Sequence, residues 1–315
     1  MPRIVKVRPR ARSAGRRPVT AARRGATRKT ALDHALEHLR AEPSRTWSLI
    51  VTLYGDAIVP RGGEVWLGTV LQFCGHLGIA DGVVRTAMSR LAADGWLERR
   101  RVGRQSFYGL AARGRETFRE ASAHIYHPQP PAWAGHFDLV LTDRTADRER
   151  VRAGMTAAGF GLLAPDTWIA PGGHPPATVP GRVLTLDLSG DAETARALAA
   201  RVWPLEHMAA AYTRFLDAFT PVRDALASGR AVNDLDALAA RVLLVHEFRR
   251  IVLRDPLLPA AILPPAWPGA AARALCADLY TRVVPASERW IDQHGLLEPD
   301  AALPPARGLE ARFRG

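Results

Sequence analysis

Between Glu64 and Leu110 the hydrophobic period of the chain switches from that of helices to that of strands, and this stretch constrains the fold more than any other. Trp66, Leu67, Val70, Leu71 and Cys74 recur at helical spacing, so 64–75 is predicted to be a helix with one apolar face. Gly75 to Gly78 ends it. A second helix follows, for which Asp81 is placed as a cap, with Val83, Val84, Ala87, Met88 and Leu91 turned inward and Gly95 closing it. Next come Trp96-Leu97-Glu98-Arg99-Arg100-Arg101, a Val102-Gly103-Arg104 turn and Ser106-Phe107-Tyr108-Gly109-Leu110. Aromatic and aliphatic residues on both sides of a glycine turn predict a β-hairpin. Helix, turn, helix and hairpin in that order make a winged helix-turn-helix, whose second helix enters the major groove of DNA.

The side chains left outside suit that geometry. Arg85 can fork onto a guanine edge or clamp a phosphate, and Thr86, Ser89 and Arg90 add donors beside it. Arg99, Arg100, Arg101 and Arg104 flank the hairpin tip, where Arg99, Arg101 and Arg104 are the candidates for backbone or minor-groove contact. The alternative is a small α+β domain with solvated surface arginines. Charge distribution bears on the choice. The 315 residues carry 43 Lys and Arg against 31 Asp and Glu, a formal charge of +12. Residues 1–30 hold 11 of the basic side chains and no acidic one, so 1–31 reads as a disordered basic tail that inflates the total. Beyond it, residues 44–126 carry +4 and residues 127–315 carry −1, so the positive charge of the folded part collects where the helix-turn-helix lies.

The rest of the chain divides by composition into an α+β protein of several units. A helix is predicted over 32–39, Trp47 to Tyr54 fits either strand or helix, and Ala112 to Tyr126 fits a helix, giving a DNA-binding domain over 32–126. His127-Pro128-Gln129-Pro130-Pro131 makes 127–132 a linker, since neither helix nor central strand tolerates that run. Residues 133–203 alternate strand and helix patterns, which suits a ferredoxin-like middle domain. Residues 204–298 are helical, with Met208 to Leu226, Leu235 to Leu253 and Ala270 to Val284 as the long segments, and 299–315 is expected to fray as a tail. Cys74 and Cys276 stand far apart with no partner at disulfide or metal spacing, which favours a reducing compartment. With no apolar run near bilayer length and no signal peptide, no membrane partner and a cytoplasmic location are expected.

At these same residues the chain resembles the PaaX-type transcriptional repressors. The likeness begins with Ser48-Leu49-Ile50-Val51-Thr52-Leu53-Tyr54-Gly55-Asp56, Pro60-Arg61-Gly62-Gly63 and Trp66-Leu67-Gly68. It continues through Val84-Arg85-Thr86-Ala87, Arg90-Leu91, Gly95-Trp96-Leu97, Gly103-Arg104, Phe107-Tyr108 and Gly159-Phe160-Gly161. Near the C-terminus it covers His246-Glu247-Phe248-Arg249-Arg250, Leu253-Arg254-Asp255-Pro256, Leu258-Pro259 and Leu263-Pro264-Pro265-Ala266-Trp267-Pro268-Gly269. The resemblance implies a homodimeric repressor of aromatic-acid catabolic genes that binds double-stranded operator DNA and is released by an aryl-acyl-CoA such as phenylacetyl-CoA. It also implies a middle domain similar to the small CRISPR-associated nucleases.

His246, Arg249, Arg250 and Arg254 recur at three- to four-residue spacing and can share one helix face. Arginine forks suit the phosphates of a CoA ligand, and Trp267 could wall its acyl end. Equally, Glu247 with Arg250 or Arg254, and Arg254 with Asp255, fit ordinary helix and turn ion pairs. No zinc-protease spacing, phosphate loop or nucleophile elbow is present, so no enzyme activity, cofactor or metal is expected. Two alternatives remain at this point: a metal-dependent nuclease using Asp143 after the first strand of the middle domain, and a nonspecific DNA-coating protein driven by the tail.

Overall fold

The computed structural model describes residues 45–128, 130, 132–142, 147–173, 183–229 and 232–314. The basic tail of 1–31, the helix read over 32–39 and Asp143 lie outside them. Burial resolves the ambiguous segment at Trp47. It forms helix α1, Thr46–Leu53, which buries Leu49, Ile50, Thr52 and Leu53, and it continues through one wider π-helical turn, Tyr54–Ile58, that carries Asp56 into the interior.

The expected helix over 64–75 begins as a strand. β1, Glu64–Trp66, precedes helix α2, Leu67–His76, and pairs antiparallel with the outgoing arm of the hairpin, Val65 opposite Tyr108. The reason is the buried Val65 between two partly exposed neighbours, a period of two that covers an otherwise unpaired edge. Helix α3 spans Asp81–Ala93, and Asp81 is its first residue rather than a side-chain cap, its carboxylate lying in the positive first turn. The hairpin is β2, Leu97–Val102, with β3, Gln105–Leu110, in a sheet of order β1-β3-β2. Gly78 and Gly103 take positive φ at the two turns, where glycine has no Cβ penalty. Helix α4, Ala112–Tyr126, ends before the proline-rich segment.

The middle unit holds β4 (His136–Thr142), α5 (Arg148–Ala157), β5 (Gly161–Ala164), β6 (Thr167–Pro171), β7 (Val183–Ser189) and α6 (Ala192–Val202). Its antiparallel sheet has the order β5-β6-β4-β7. Strand and helix patterns alternate as expected, with α6 following β7; residues 174–182, between β6 and β7, lie outside the described residues. Both sheet faces are apolar and each takes one helix. Val140 and Trp168 pack under α5 with Val151 and Met155, whereas Phe137 and Ile169 pack under α6 with Ala195 and Ala199.

Three long helices complete the fold: α7 (Leu205–Ala227), α8 (Asp234–Val252) and α9 (Gly269–His294). α8 is buried over most of its circumference from Ala237 to Phe248, its charged Arg241, His246 and Glu247 included. It lies within one continuous core that runs from Leu49 of α1 through α2, α3 and α4 to α7, α8, α9 and Leu303. The N-terminal unit and the helical region therefore share their interior. The chain end, expected to fray, is packed instead: Arg307 donates to the Pro60 carbonyl at 3.0 Å, and the Phe313 ring lies 5.1 Å from Tyr126 and 5.3 Å from Tyr280. The apolar Leu303 and Phe313 supply the burial that composition alone concealed.

Candidate nucleic-acid interface and basic groove

Helix α3 presents two chemically distinct faces. Val84, Ala87, Met88 and Leu91 enter the core, while Arg85, Thr86, Ser89 and Arg90 are exposed. Val83, expected inside, is 50% exposed beside Arg85. Thr86 donates to the Gly82 carbonyl at 2.8 Å, so part of its capacity is spent within the helix. Arg90 stands 3.7 Å from Asp94, an exposed pair worth little in water.

On the hairpin, strand alternation sorts the arginines. Arg99, Arg101 and Arg104 are exposed, Arg99 donating to Ser106 Oγ at 2.8 Å. Arg100 points the other way, donating to Glu64 at 2.8 Å and to the Leu297 carbonyl at 3.0 Å, with its guanidinium 5.1 Å from the Phe107 ring. Leu297 lies on β8, Leu296–Glu298, which with β9, Ala301–Ala302, forms a small hairpin against β1. Arg100 thus anchors the N-terminal unit to the C-terminal region, whereas Arg99, Arg101 and Arg104 face solvent.

The arginine face expected on α8 divides in two. His246 and Arg249 turn toward α1. Arg249 donates to Thr52 Oγ1 at 2.7 Å and to Ser48 Oγ at 2.7 Å, and His246 Nδ1 lies 2.9 Å from the same Thr52 oxygen. Burial, reinforced by the Arg249 charge, pushes the His246 pKa down to about 4, and burial lowers Arg249 to about 10. These two side chains clamp helices together and are not open to a ligand. Glu247, Arg250 and Arg254 instead line a groove of about 200 Å³ between α7 and α8. Arg250 is held by Glu247 at 3.0 Å. The groove also takes His207 and Arg214 from α7, which sequence reading missed although His207, Ala211 and Arg214 recur at helical spacing. Met208, Phe215 and Ile251 give it an apolar side. Trp267 is elsewhere, edge-on to Tyr212 at 5.9 Å, where Tyr212 donates to Asp255 at 2.6 Å.

A second polar cluster lies largely in the interior, with Arg61, Tyr280, Glu288 and Arg312 also lining a cleft of about 880 Å³. Asp56 is 1% exposed and accepts from Arg241 Nε at 2.6 Å, Arg312 Nη1 at 2.7 Å and the Tyr126 hydroxyl at 2.6 Å. Arg241 also reaches Ser287 and Glu288, and Arg61 joins Glu288 at 2.5 Å. Burial opposes the charge on Arg241, yet Asp56, Tyr280 and Glu288 hold its pKa above the ordinary arginine value. The network ties α1, α8, α9 and the chain end into one unit.

In the middle unit, strand register sets His136 beside Asp138 and Asp187, with His136 Nε2 at 3.6 Å and 3.9 Å from their oxygens. Among the described residues this is the one group of three with metal-ligand chemistry. Cys74 and Cys276 are buried free thiols, and no helix among the described residues is long and apolar enough to cross a membrane.

Comparison with known proteins places this geometry in a family. Residues 45–114 match the PaaX-like protein family, and residues 203–293 match the PaaX-like protein C-terminal domain. The transcriptional repressor PaaX of Escherichia coli strain K12 is 36% identical over 282 residues, covering 84% of this chain and 89% of that protein. A solved structure, that of an uncharacterized Mycobacterium tuberculosis protein, aligns at 23% identity and a TM-score of 0.46 over 70% of this chain and 90% of its own. By the two matched regions and the length of the alignment, the chain belongs to the PaaX-like protein family.

Proposed function

We propose that this protein is a DNA-binding transcriptional repressor whose winged helix-turn-helix, residues 64–110, reads an operator and whose basic groove receives an acyl-CoA effector. The observation that carries the DNA reading is the two-faced α3. Its inner face is core, and its outer face together with the hairpin offers Arg85, Ser89, Arg101 and Arg104, exposed and without side-chain partners among the described residues. Such guanidiniums can neutralise phosphates or fork onto guanine without first breaking an ion pair. The E. coli relative is named a transcriptional repressor, which agrees with this reading. A homodimer on a two-fold operator, controlling aromatic-acid catabolic genes, is the form the proposal takes.

The groove supplies the response. A phosphate-bearing ligand competing for Arg250 would disturb the Glu247 pair one residue from His246, and His246 and Arg249 hold α1. Since α1 packs against α3, a shift of the α8 end reaches the reading helix through direct contacts. A gel shift on an aromatic-acid operon promoter, with and without phenylacetyl-CoA, tests both parts. The wild type should release DNA on adding the CoA ester, and Arg250→Gln with Arg254→Gln should stay bound at the same ester concentration. Release unaltered in that double variant rules out the groove; absence of operator binding rules out the DNA reading.

A further inference from the structure

We propose that the cleft between α5 and the β5–β6 hairpin of the middle unit is a separate binding site for a small carboxylic acid with an apolar body. The cleft opens to solvent and measures about 350 Å³. An apolar cavity of roughly 150 Å³ is enough for benzene, so an aromatic ring or short chain fits with room for its carboxylate.

Three independent features define the ligand. Arg148 and Arg152 stand one helical turn apart at the start of α5, both exposed, and neither makes an ion pair among the described residues. Like charges at this spacing repel. Asp147 caps this helix end and Glu149 lies in its first turn, yet neither pairs with Arg148 or Arg152 among the described residues. Next to them is Trp168, 4% exposed, whose indole N–H has no hydrogen-bond partner among the described residues. A buried donor with no acceptor is unfavourable until one arrives. The remaining walls include the buried Val151 and also Leu162, which is 40% exposed although large and apolar. The lining holds two guanidiniums against the single carboxylate of Asp166, so its net charge selects an anion over a cation. A carboxylate can bridge the arginines and accept from the indole, while a ring or alkyl chain covers Leu162.

The test uses the ¹⁵N-labelled full chain, following tryptophan indole signals while sodium benzoate or sodium hexanoate is added, with benzyl alcohol as the uncharged control. The indole signal missing from Trp168→Phe should move saturably with either acid and far less with the alcohol. Arg148→Gln with Arg152→Gln should raise the dissociation constant about tenfold or more. The site is overturned if that signal stays put up to about 10 mM acid, if the alcohol moves it equally, or if the double variant binds as the wild type does. Should Trp168→Phe not fold, calorimetry on the arginine variants, which lie on the surface, decides the matter by the same comparison.

Discussion

Two arginine-rich regions of this protein look alike in sequence and do opposite things. On α3 and the β2–β3 hairpin, Arg85, Arg101 and Arg104 project into solvent with no fixed partner among the described residues. On α8, Arg241 and Arg249 are held inside, each satisfied by several acceptors. The former group faces solvent; the latter cements α8 to α1 and α9. What separates them is desolvation, because a buried guanidinium persists only where carboxylates and hydroxyls already surround it. Arg100 and Arg250 fall between, each half-exposed and paired to a glutamate.

The largest expected break in this contrast is Arg241→Met. It strips Asp56 of one of its two arginines and should cost about 3 kcal/mol or more of stability, read as a lower urea midpoint. An unchanged midpoint would show the buried network to be dispensable. Next in size, Arg85→Ala should weaken operator binding by about 1–3 kcal/mol while the thermal midpoint stays where it was. A variant that lost stability and DNA affinity together would erase the distinction between the regions.

The pH response should sharpen it. His246 carries a folded pKa near 4, below the ordinary 6.5, because burial and Arg249 disfavour its charge. The unfolded chain therefore binds a proton that the folded chain refuses between those values, and stability contributed by the neutral ring is complete above pH 6.5 and declines as pH falls toward 4. His246→Asn should make urea midpoints less sensitive to acid over that window; equal sensitivity would refute the buried clamp. The smallest effect concerns residues 1–30. Deleting their 11 basic side chains should flatten the salt dependence of DNA binding and leave operator choice intact. The slope should fall by about 0.9 log units per log unit of salt for each phosphate that the tail no longer neutralises. Loss of sequence preference in that truncation would mean that the reading surface extends beyond α3 and the hairpin.

The helix, turn, helix and hairpin were legible because each rests on local signals. Val84, Ala87, Met88 and Leu91 repeat at helical spacing, and glycines mark the turns at 78 and 103. Strand β1 was not, since its three residues alternate only in burial, which becomes visible once β3 lies beside them. Of the α8 cluster, spacing grouped Arg250 with Arg254 but could not tell them from His246 and Arg249, because one buried helix presents charge to two different neighbours.

By itself, then, the sequence determined what periodicity and turn chemistry encode: the two helices and the hairpin between 67 and 110, most of the apolar face of α3, and the outward arginines of the hairpin. Tertiary structure alone decided which charges were withdrawn from water. Arg241 and Arg312 lie 185 and 256 residues from Asp56 along the chain, and they meet it only when α1, α8 and the chain end close on one core. Pairing at that separation leaves no local trace, since its partners are brought together by the burial of other residues.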